Sequence, residues 1–414
     1  MKKIFLKLLH QNKFLVLSGI TERIFFFIIF LFIARRFNPE LYGQLITIFS
    51  LANILIILFD LGLPVLMQKE LSALNVRSYK IFNNAIILNI LMLPLYLITI
   101  CIFYQIFYSE ISFPVFIITV LSVYIFSLGN LLNKALYGLS NYKITFTALF
   151  YSRIVCMAFF FMFIYFYDAG LSQLLLTLLL SALLQLIILF KDLKSKHFIV
   201  KFGSFDFKET LKIITISLPI GLAVIFNFLY DKIDLLLISG LLNFENAAYY
   251  NIGYGIFKTS TIFFSFLFIA GLTKVSYLSR NRKGVKLFFI KYLRILLCIS
   301  VIITAVLFTG ADFFIKSFYT DKFSDSVTIL KVLSFATTGL ALNNLTGIML
   351  TGLGLFKMNM IVTLSGLIIN VILNIIFIPH YGIIAAALIT LITEYFIFAG
   401  GYFFIRNFFK STIH

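Results

Sequence analysis

Apolar residues in this chain come in long uninterrupted runs, and polar residues gather between them. A run of about 20 residues matches the roughly 30 Å hydrocarbon core of a bilayer at a helical rise of about 1.5 Å per residue. The windows predict twelve spanning helices, at 14–34, 44–66, 82–104, 114–136, 144–166, 171–190, 213–237, 247–273, 290–310, 327–350, 358–378 and 383–405. The longest connection on one side is 311–326, and the longest on the other are 191–212 and 274–290. None is large enough for a soluble domain.

Four of these runs carry a lone ionisable residue near mid-depth: Glu22, Arg153, Lys258 and Glu394. Each lies about 14–18 Å from the nearest loop by helical rise. A charge at that depth costs about 2.5–3.5 kcal/mol or more and normally faces a bundle interior or a hydrated path. Together they point to a transport cavity. Arg153 has a second reading, with its head snorkelling toward the cytoplasmic face. Glu22 and Arg23 are neighbours about 100° apart on a helix, so they do not both point squarely at one cavity.

Polar stripes accompany the charges. Asn227, Asp231 and Asp234 share one face of span seven; Asn251, Gly255, Lys258, Thr261 and Ser265 share one of span eight; Asn359, Thr363, Gly366, Asn370 and Asn374 share one of span eleven. The pairs Ser18–Glu22 and Thr390–Glu394 mark spans one and twelve. Hydrogen bonding between packed helices accounts for the Asn, Ser and Thr positions as readily as contact with a cargo does. Pro94 in span three and Pro219 in span seven each remove a helical hydrogen bond and predict kinks, while Pro39, Pro114 and Pro379 read as helix boundaries.

Lysine and arginine orient the spans. With the N-terminus in the cytoplasm, cytoplasmic segments hold 25 of these residues and external loops hold 4. This is a strong positive-inside bias, and it places both termini in the cytoplasm. An internal repeat divides the chain. LGNLLNKALYGLSNYK (128–143) aligns without gaps to LNNLTGIMLTGLGLFK (342–357) with 7 identities in 16 positions, Asn130/Asn344, Gly138/Gly352 and Lys143/Lys357 among them. NPELYG after span one is echoed by NFENAAYY after span seven. Six spans separate the copies, so the repeats run parallel. The expected fold is an all-α membrane protein of two six-helix lobes, 1–200 and 201–414, around a central cavity.

Composition agrees. The chain has 414 residues, 61% hydrophobic and 12% charged, with a net charge of +18; soluble domains carry about 25% charged residues. The positive balance follows from the loops, and no basic helix stands free of the membrane to read a nucleic acid. Trp is absent, so Tyr is expected to form the interfacial belts. Cys101, Cys156 and Cys298 lie far apart inside apolar runs and read as small buried hydrophobes. No cleavable signal is expected, because the first apolar run contains Glu22 and Arg23 and no small-residue cleavage site follows it.

Enzyme signatures are missing. There is no phosphate-binding G-x-x-x-x-G-K-[ST] loop. The four His residues are isolated, so neither a metal nor a cofactor is expected. Asp231 and Asp234 form a carboxylate pair at i,i+3, but no large external loop holds a sugar acceptor beside them. A transporter fits better than an enzyme.

Three stretches carry a family resemblance. ARRFNPELYGQLITIFSLANILIILFDLGLPVLMQKELS (34–72) resembles the opening of Wzx-type lipid flippases of O-antigen and capsule pathways, with an Arg-ended first helix, a Tyr-Gly turn and an Asp-Leu-Gly at the inner end of span two. SLPIGLAVIFNFLYDKIDLLLISGL (217–241) is similar to that family's seventh span, and GLIINVILNIIFIPHYGIIAAALITLITEYF (366–396) to its eleventh and twelfth. The resemblance implies membership of the multidrug/oligosaccharidyl-lipid/polysaccharide (MOP) superfamily, residence in a bacterial inner membrane, and alternating access. Its cargo would be an undecaprenyl-pyrophosphate-linked oligosaccharide, and its partners a polysaccharide polymerase and a chain-length regulator. On that reading Arg23, Arg153 and Lys258 meet the pyrophosphate, and Asn227, Asn251, Asn370 and Asn374 meet sugars. Glu22, Asp231, Asp234 and Glu394 are the candidates for ion coupling. The alternatives are a multidrug or cation antiporter of the same superfamily and a membrane polysaccharide polymerase.

Overall fold

In a computed structural model, residues 13–73, 76–261, 264, 271, 274–278 and 281–410 are described. Twelve α-helices run through them: α1 (Lys13–Arg36), α2 (Pro39–Asp60), α3 (Leu63–Ser72), α4 (Val76–Phe107), α5 (Phe113–Gly138), α6 (Tyr142–Phe166), α7 (Leu171–Ser195), α8 (Phe207–Leu241), α9 (Phe244–Ser260), α10 (Arg282–Tyr319), α11 (Asp325–Gly352) and α12 (Phe356–Lys410). No strand occurs among the described residues. Nine of these helices are long and apolar enough to cross a membrane, and α8, bent by 41° between Leu222 and Val224, makes ten. The 55-residue α12 holds two spans across a break at Gly382 (φ 64°, ψ −154°). The protein is a multi-pass, all-α membrane protein.

Two departures from the expected spans have local causes. Span two is not continuous to residue 66: α2 stops at Asp60, Leu61 and Gly62 take φ of 51° and 76°, and α3 starts again behind Pro64. The segment 311–326, expected as a loop, is mostly helix, because α10 continues to Tyr319 before a short 3-10 turn at Asp321–Phe323. Pro219 sits three residues before the α8 bend, as its missing donor predicts. Pro94, by contrast, lies inside an unbroken α4.

Contacts divide the chain into two compact units, Met1–Phe37 with Ile48–Phe228, and Asn38–Thr47 with Leu229–His414. In the first unit, Leu66 and Met67 of α3 pack with Phe82 of α4, Leu132 of α5 and Leu193 of α7. The segment after α7 is strapped to α4: Phe198 stacks on Tyr79 at 4.5 Å, and Asn83 Oδ1 accepts from Lys201 N at 2.6 Å. Arg36 closes the far end of α1 on Asp168 at 2.5 Å and donates to the Ala169 carbonyl. In the second unit, Phe288 and Phe289 of α10 pack with Leu345 and Met349 of α11 and Ile405 of α12.

The sequence repeat has matching geometry. At the end of α5, Ser140 has φ 57° and Asn141 N donates to Leu136 O at 2.9 Å; at the end of α11, Gly354 has φ 77° and Leu355 N donates to Leu350 O at 2.8 Å. Both are left-handed caps that return the chain after the same number of residues. Gly138 and Gly352 each lie against another segment, Gln68–Ser72 and Val275–Ser276, so closely that a Cβ would stand 2.7 Å from its nearest atom. The echo of NPELYG in NFENAAYY is an N-cap: Asn38 Oδ1 accepts from Leu41 N at 2.9 Å and Asn243 Oδ1 from Asn246 N at 2.8 Å. The Tyr-Gly pair is therefore not a turn. Tyr42 and Gly43 sit inside the first turns of α2, where Gly43 makes room for the Phe244 carbonyl.

Candidate functional site

The second unit gathers its polar residues in one network on α8, α9, α11 and α12. Asp231 and Asp234 stand one turn apart on α8, and each meets a different side of the bundle. Asp234 is buried and accepts three hydrogen bonds, from Tyr250 Oη at 2.8 Å, Thr390 Oγ1 at 2.8 Å and Asn374 Nδ2 at 2.7 Å. Asn374 Nδ2 also reaches Asn370 Oδ1 at 3.1 Å, while the Asn374 Oδ1 has no partner. One carboxylate thus holds α8, α9 and both halves of α12.

Asp231 is paired differently. Lys258 Nζ lies 2.5 Å from its Oδ1, and Tyr254 Oη donates to the same oxygen at 2.8 Å. The Lys258 side chain is 42% exposed and that of Asp231 25%. The lysine is therefore not enclosed, and its ion-pair partner is Asp231. Glu394 is buried and accepts from Asn343 Nδ2 at 2.8 Å and Tyr230 Oη at 3.2 Å. Neither Asp234 nor Glu394 forms an ion pair among the described residues. Neutral donors satisfy both.

Asn251 lies on the next part of α9 and donates to Tyr42 Oη at 3.3 Å. That contact ties α9 to the start of α2. Asn359 and Thr363, at the other end of the span-eleven stripe, bond within their own surroundings, to Thr351 Oγ1 and Asn359 O. Only Asn370 and Asn374 of that stripe reach the acidic network. Ser265, the last member of the span-eight stripe, lies outside the described residues.

The first unit treats its charges in another way. Arg153 is 2% exposed, so it does not snorkel. Its guanidinium carbon lies 4.9 Å from the Phe25 ring centre and 4.8 Å from that of Phe126, and Nη1 donates to Ser181 Oγ at 2.7 Å. Glu22 stands 3.6 Å from Nη2 with its side chain 48% exposed. Arg23, beside it, is exposed, as is Asn227 on the first-unit part of α8.

Sequence reading missed the tyrosines. It gave tyrosine only a general place in the interfacial belts and singled out none of Tyr230, Tyr250 and Tyr254, each of which is a hydrogen-bond donor to a carboxylate of the network. The signal was present: Tyr250, Tyr254 and Lys258 recur at i,i+4,i+8 on one helix face, so the tyrosines share the lysine's stripe and face the same carboxylate-bearing helix.

Comparison with known proteins agrees with this architecture. The model of the family described as polysaccharide biosynthesis protein matches residues 9–273, and that described as MatE matches residues 219–376. An uncharacterised membrane protein of Methanocaldococcus jannaschii is 27% identical over 252 residues, 58% of this chain and 58% of that protein. The chain thus spans somewhat more than half the length of this curated relative. The inward-facing structure of a multidrug resistance MATE family transporter of the MOP superfamily superposes with a TM-score of 0.76 at 16% identity, covering 98% of this chain and 96% of that one. The lipid II flippase MurJ, in an inward closed conformation, gives 0.67 at 17% identity over 94% and 87% of the two chains. A MOP superfamily transporter from Pyrococcus furiosus gives 0.66 at 15% identity over 97% and 94%. At these identities the structures establish a common fold. The family match covers well over half of the sequence, and the chain belongs to the polysaccharide biosynthesis protein family.

Proposed function

We propose that the protein carries an undecaprenyl-pyrophosphate-linked oligosaccharide from the cytoplasmic to the external leaflet, with the polyprenyl tail left in lipid, and does so by alternating access. The observation that carries this reading is the family match over residues 9–273. The transporter fold and the half-exposed Lys258 support it. A pyrophosphate needs a cation that can change partners, and Lys258, held by Asp231 yet 42% exposed, is suited to leave one anion for another. Exposed Arg23 is the second cation offered to the cargo. Arg153 is enclosed, and its role is to hold Glu22. Asn227 and Asn251 are the amide candidates for sugar contact.

Asp234 and Glu394 are the proposed coupling carboxylates, with Asn370 and Asn374 orienting Asp234 rather than touching sugar. The positive-inside bias supports both termini in the cytoplasm; residence in a bacterial inner membrane and external handover to a polymerase and chain-length regulator belong to the same proposal. Deleting the gene in its host tests the reading. Surface polysaccharide should be lost and single, unpolymerised lipid-linked repeat units should accumulate on the cytoplasmic side. Normal polysaccharide in the deletion strain refutes it.

The second reading is a multidrug or cation antiporter. It draws on the MatE match over 219–376 and on the three carboxylates of the network set against one exposed lysine. Unchanged polysaccharide together with raised sensitivity to cationic drugs would establish that reading instead.

A further inference from the structure

A buried carboxylate in the first unit has no place in the proposed transport chemistry. Asp60 is 6% exposed and is the last residue of α2. It accepts from Asn89 Nδ2 of α4 at 2.9 Å and from Ser127 Oγ of α5 at 2.8 Å. No lysine or arginine forms an ion pair with it among the described residues.

Its position makes the missing positive charge more costly. The last carbonyls of a helix have no donor within the helix and carry the negative end of its dipole, so a carboxylate there faces like charge. Two neutral donors do not offset a buried anion in such a place. Aromatic rings close the surroundings: Phe59 packs edge-on against Tyr96 at 6.2 Å, and Tyr124 lies alongside Tyr96.

Asn89 supplies the second observation. It is 2% exposed, its amide lies against Asp60, and its Oδ1 has no hydrogen-bond partner. A half-turn of that amide exchanges Nδ2 for Oδ1 beside the carboxylate. The cluster then presents two carboxylate oxygens, an amide oxygen and a hydroxyl. That is an all-oxygen donor set carrying one negative charge, which suits a hard monovalent cation better than a divalent one.

We propose that Asp60, Asn89 and Ser127 form a sodium-type cation site in the first unit, separate from the acidic network of the second. Occupancy has a mechanical consequence. The Leu61–Gly62 turn that follows Asp60 packs backbone to backbone on Ser217–Gly221 of α8, just before the bend; a Cβ on Gly62 would stand 2.5 Å from Gly221 N and Ser217 O. A cation that fixes the end of α2 therefore fixes the surface on which the bent helix leans. The inference holds whatever the cargo is, so its failure leaves the flippase reading intact and the reverse is also true.

The test uses the full chain purified in detergent, with sodium chloride as the probe and choline chloride holding ionic strength constant. The background is Asp234→Asn with Glu394→Gln, which removes both carboxylates proposed for coupling. Sodium should raise the unfolding midpoint saturably, and radioactive sodium should bind. Ser127→Ala should raise the half-saturating sodium concentration about tenfold, a loss of about 1.4 kcal/mol of binding. Asp60→Asn should abolish both effects. If Asp60→Asn fails to fold, the Ser127→Ala shift decides. Equal responses to sodium and choline overturn the site. So does a sodium response that the two background substitutions eliminate or that Ser127→Ala leaves unchanged.

Discussion

Arg153 in the first unit and Asp234 in the second are both buried charges on membrane helices, and their surroundings are opposite. The cation lies against the faces of Phe25 and Phe126 with one hydroxyl and a distant carboxylate, while the anion is ringed by a tyrosine, a threonine and an amide. Ring faces carry negative potential and hydroxyl or amide hydrogens positive, so the sign of the buried charge selects its lining. The packing consequence differs too. Arg153 leaves Nε and Nη2 without hydrogen-bond acceptors, so its site is held by dispersion and quadrupole, whereas Asp234 holds three helices by directed bonds.

The largest effect should come from emptying the directed site. Asp234→Ala removes the acceptor shared by three buried donors and opens a cavity, and should lower stability by about 3–5 kcal/mol, read as chemical or thermal unfolding of the purified protein. Asp234→Asn keeps the shape and should cost about 1–2 kcal/mol while still eliminating gradient-driven transport into proteoliposomes. Equal stability losses for the two would mean that packing, not hydrogen bonding, holds the site.

Arg153 should respond in the other direction. Arg153→Met keeps the aromatic packing and removes an incompletely bonded charge, so stability should change by less than about 1 kcal/mol. Arg153→Lys, which loses the planar stacking surface, should be the worse variant by about 1 kcal/mol. The reverse order would show that the charge on Glu22 needs its partner.

Lys258 and Asp231 test whether exposure matters more than distance. Their ion pair is as short as any described here, but the lysine is 42% exposed. Exposed pairs contribute about 0–1 kcal/mol. Lys258→Ala should therefore accumulate normally in the membrane and lose export, and Lys258→Arg should keep part of it. Poor accumulation that Asp231→Asn restores, with export restored as well, would make the pair structural.

The smallest effect compares the two caps of the repeat. Ser140 takes a left-handed φ where the second copy has Gly354. Ser140→Gly should stabilise by up to about 1 kcal/mol and Gly354→Ala should destabilise by a similar amount. No change in either would mean that the surrounding turns, not the residue, set the conformation.

How much of this was legible beforehand depended on whether the signal was local. Run length gave the multi-pass helical plan, because the bilayer imposes a similar length on every helix, although nine to ten helices of spanning length stand among the described residues against twelve expected. The 128–143 and 342–357 copies were readable because a left-handed cap and a tight glycine contact each demand particular residues. The broken span two was not readable as such, since LFDLGLPV is as apolar as its neighbours and only the positive φ at Leu61 and Gly62 marks the stop. Partners were the hardest. Helical spacing put Asp231 and Asp234 on one face, but a face about 100° wide serves two neighbouring helices, so it did not reveal that one carboxylate meets Lys258 and the other Asn374.

The sequence by itself determined the membrane class, the all-helical plan and the internal duplication, all of which follow from position along one chain. Tertiary structure decided which charges are enclosed and which are exposed, that three tyrosines serve carboxylates, and that Asp60 meets Asn89 and Ser127. Those outcomes depend on which helices become neighbours, and residues 16 to 164 positions apart carry no local mark of the contact they will make.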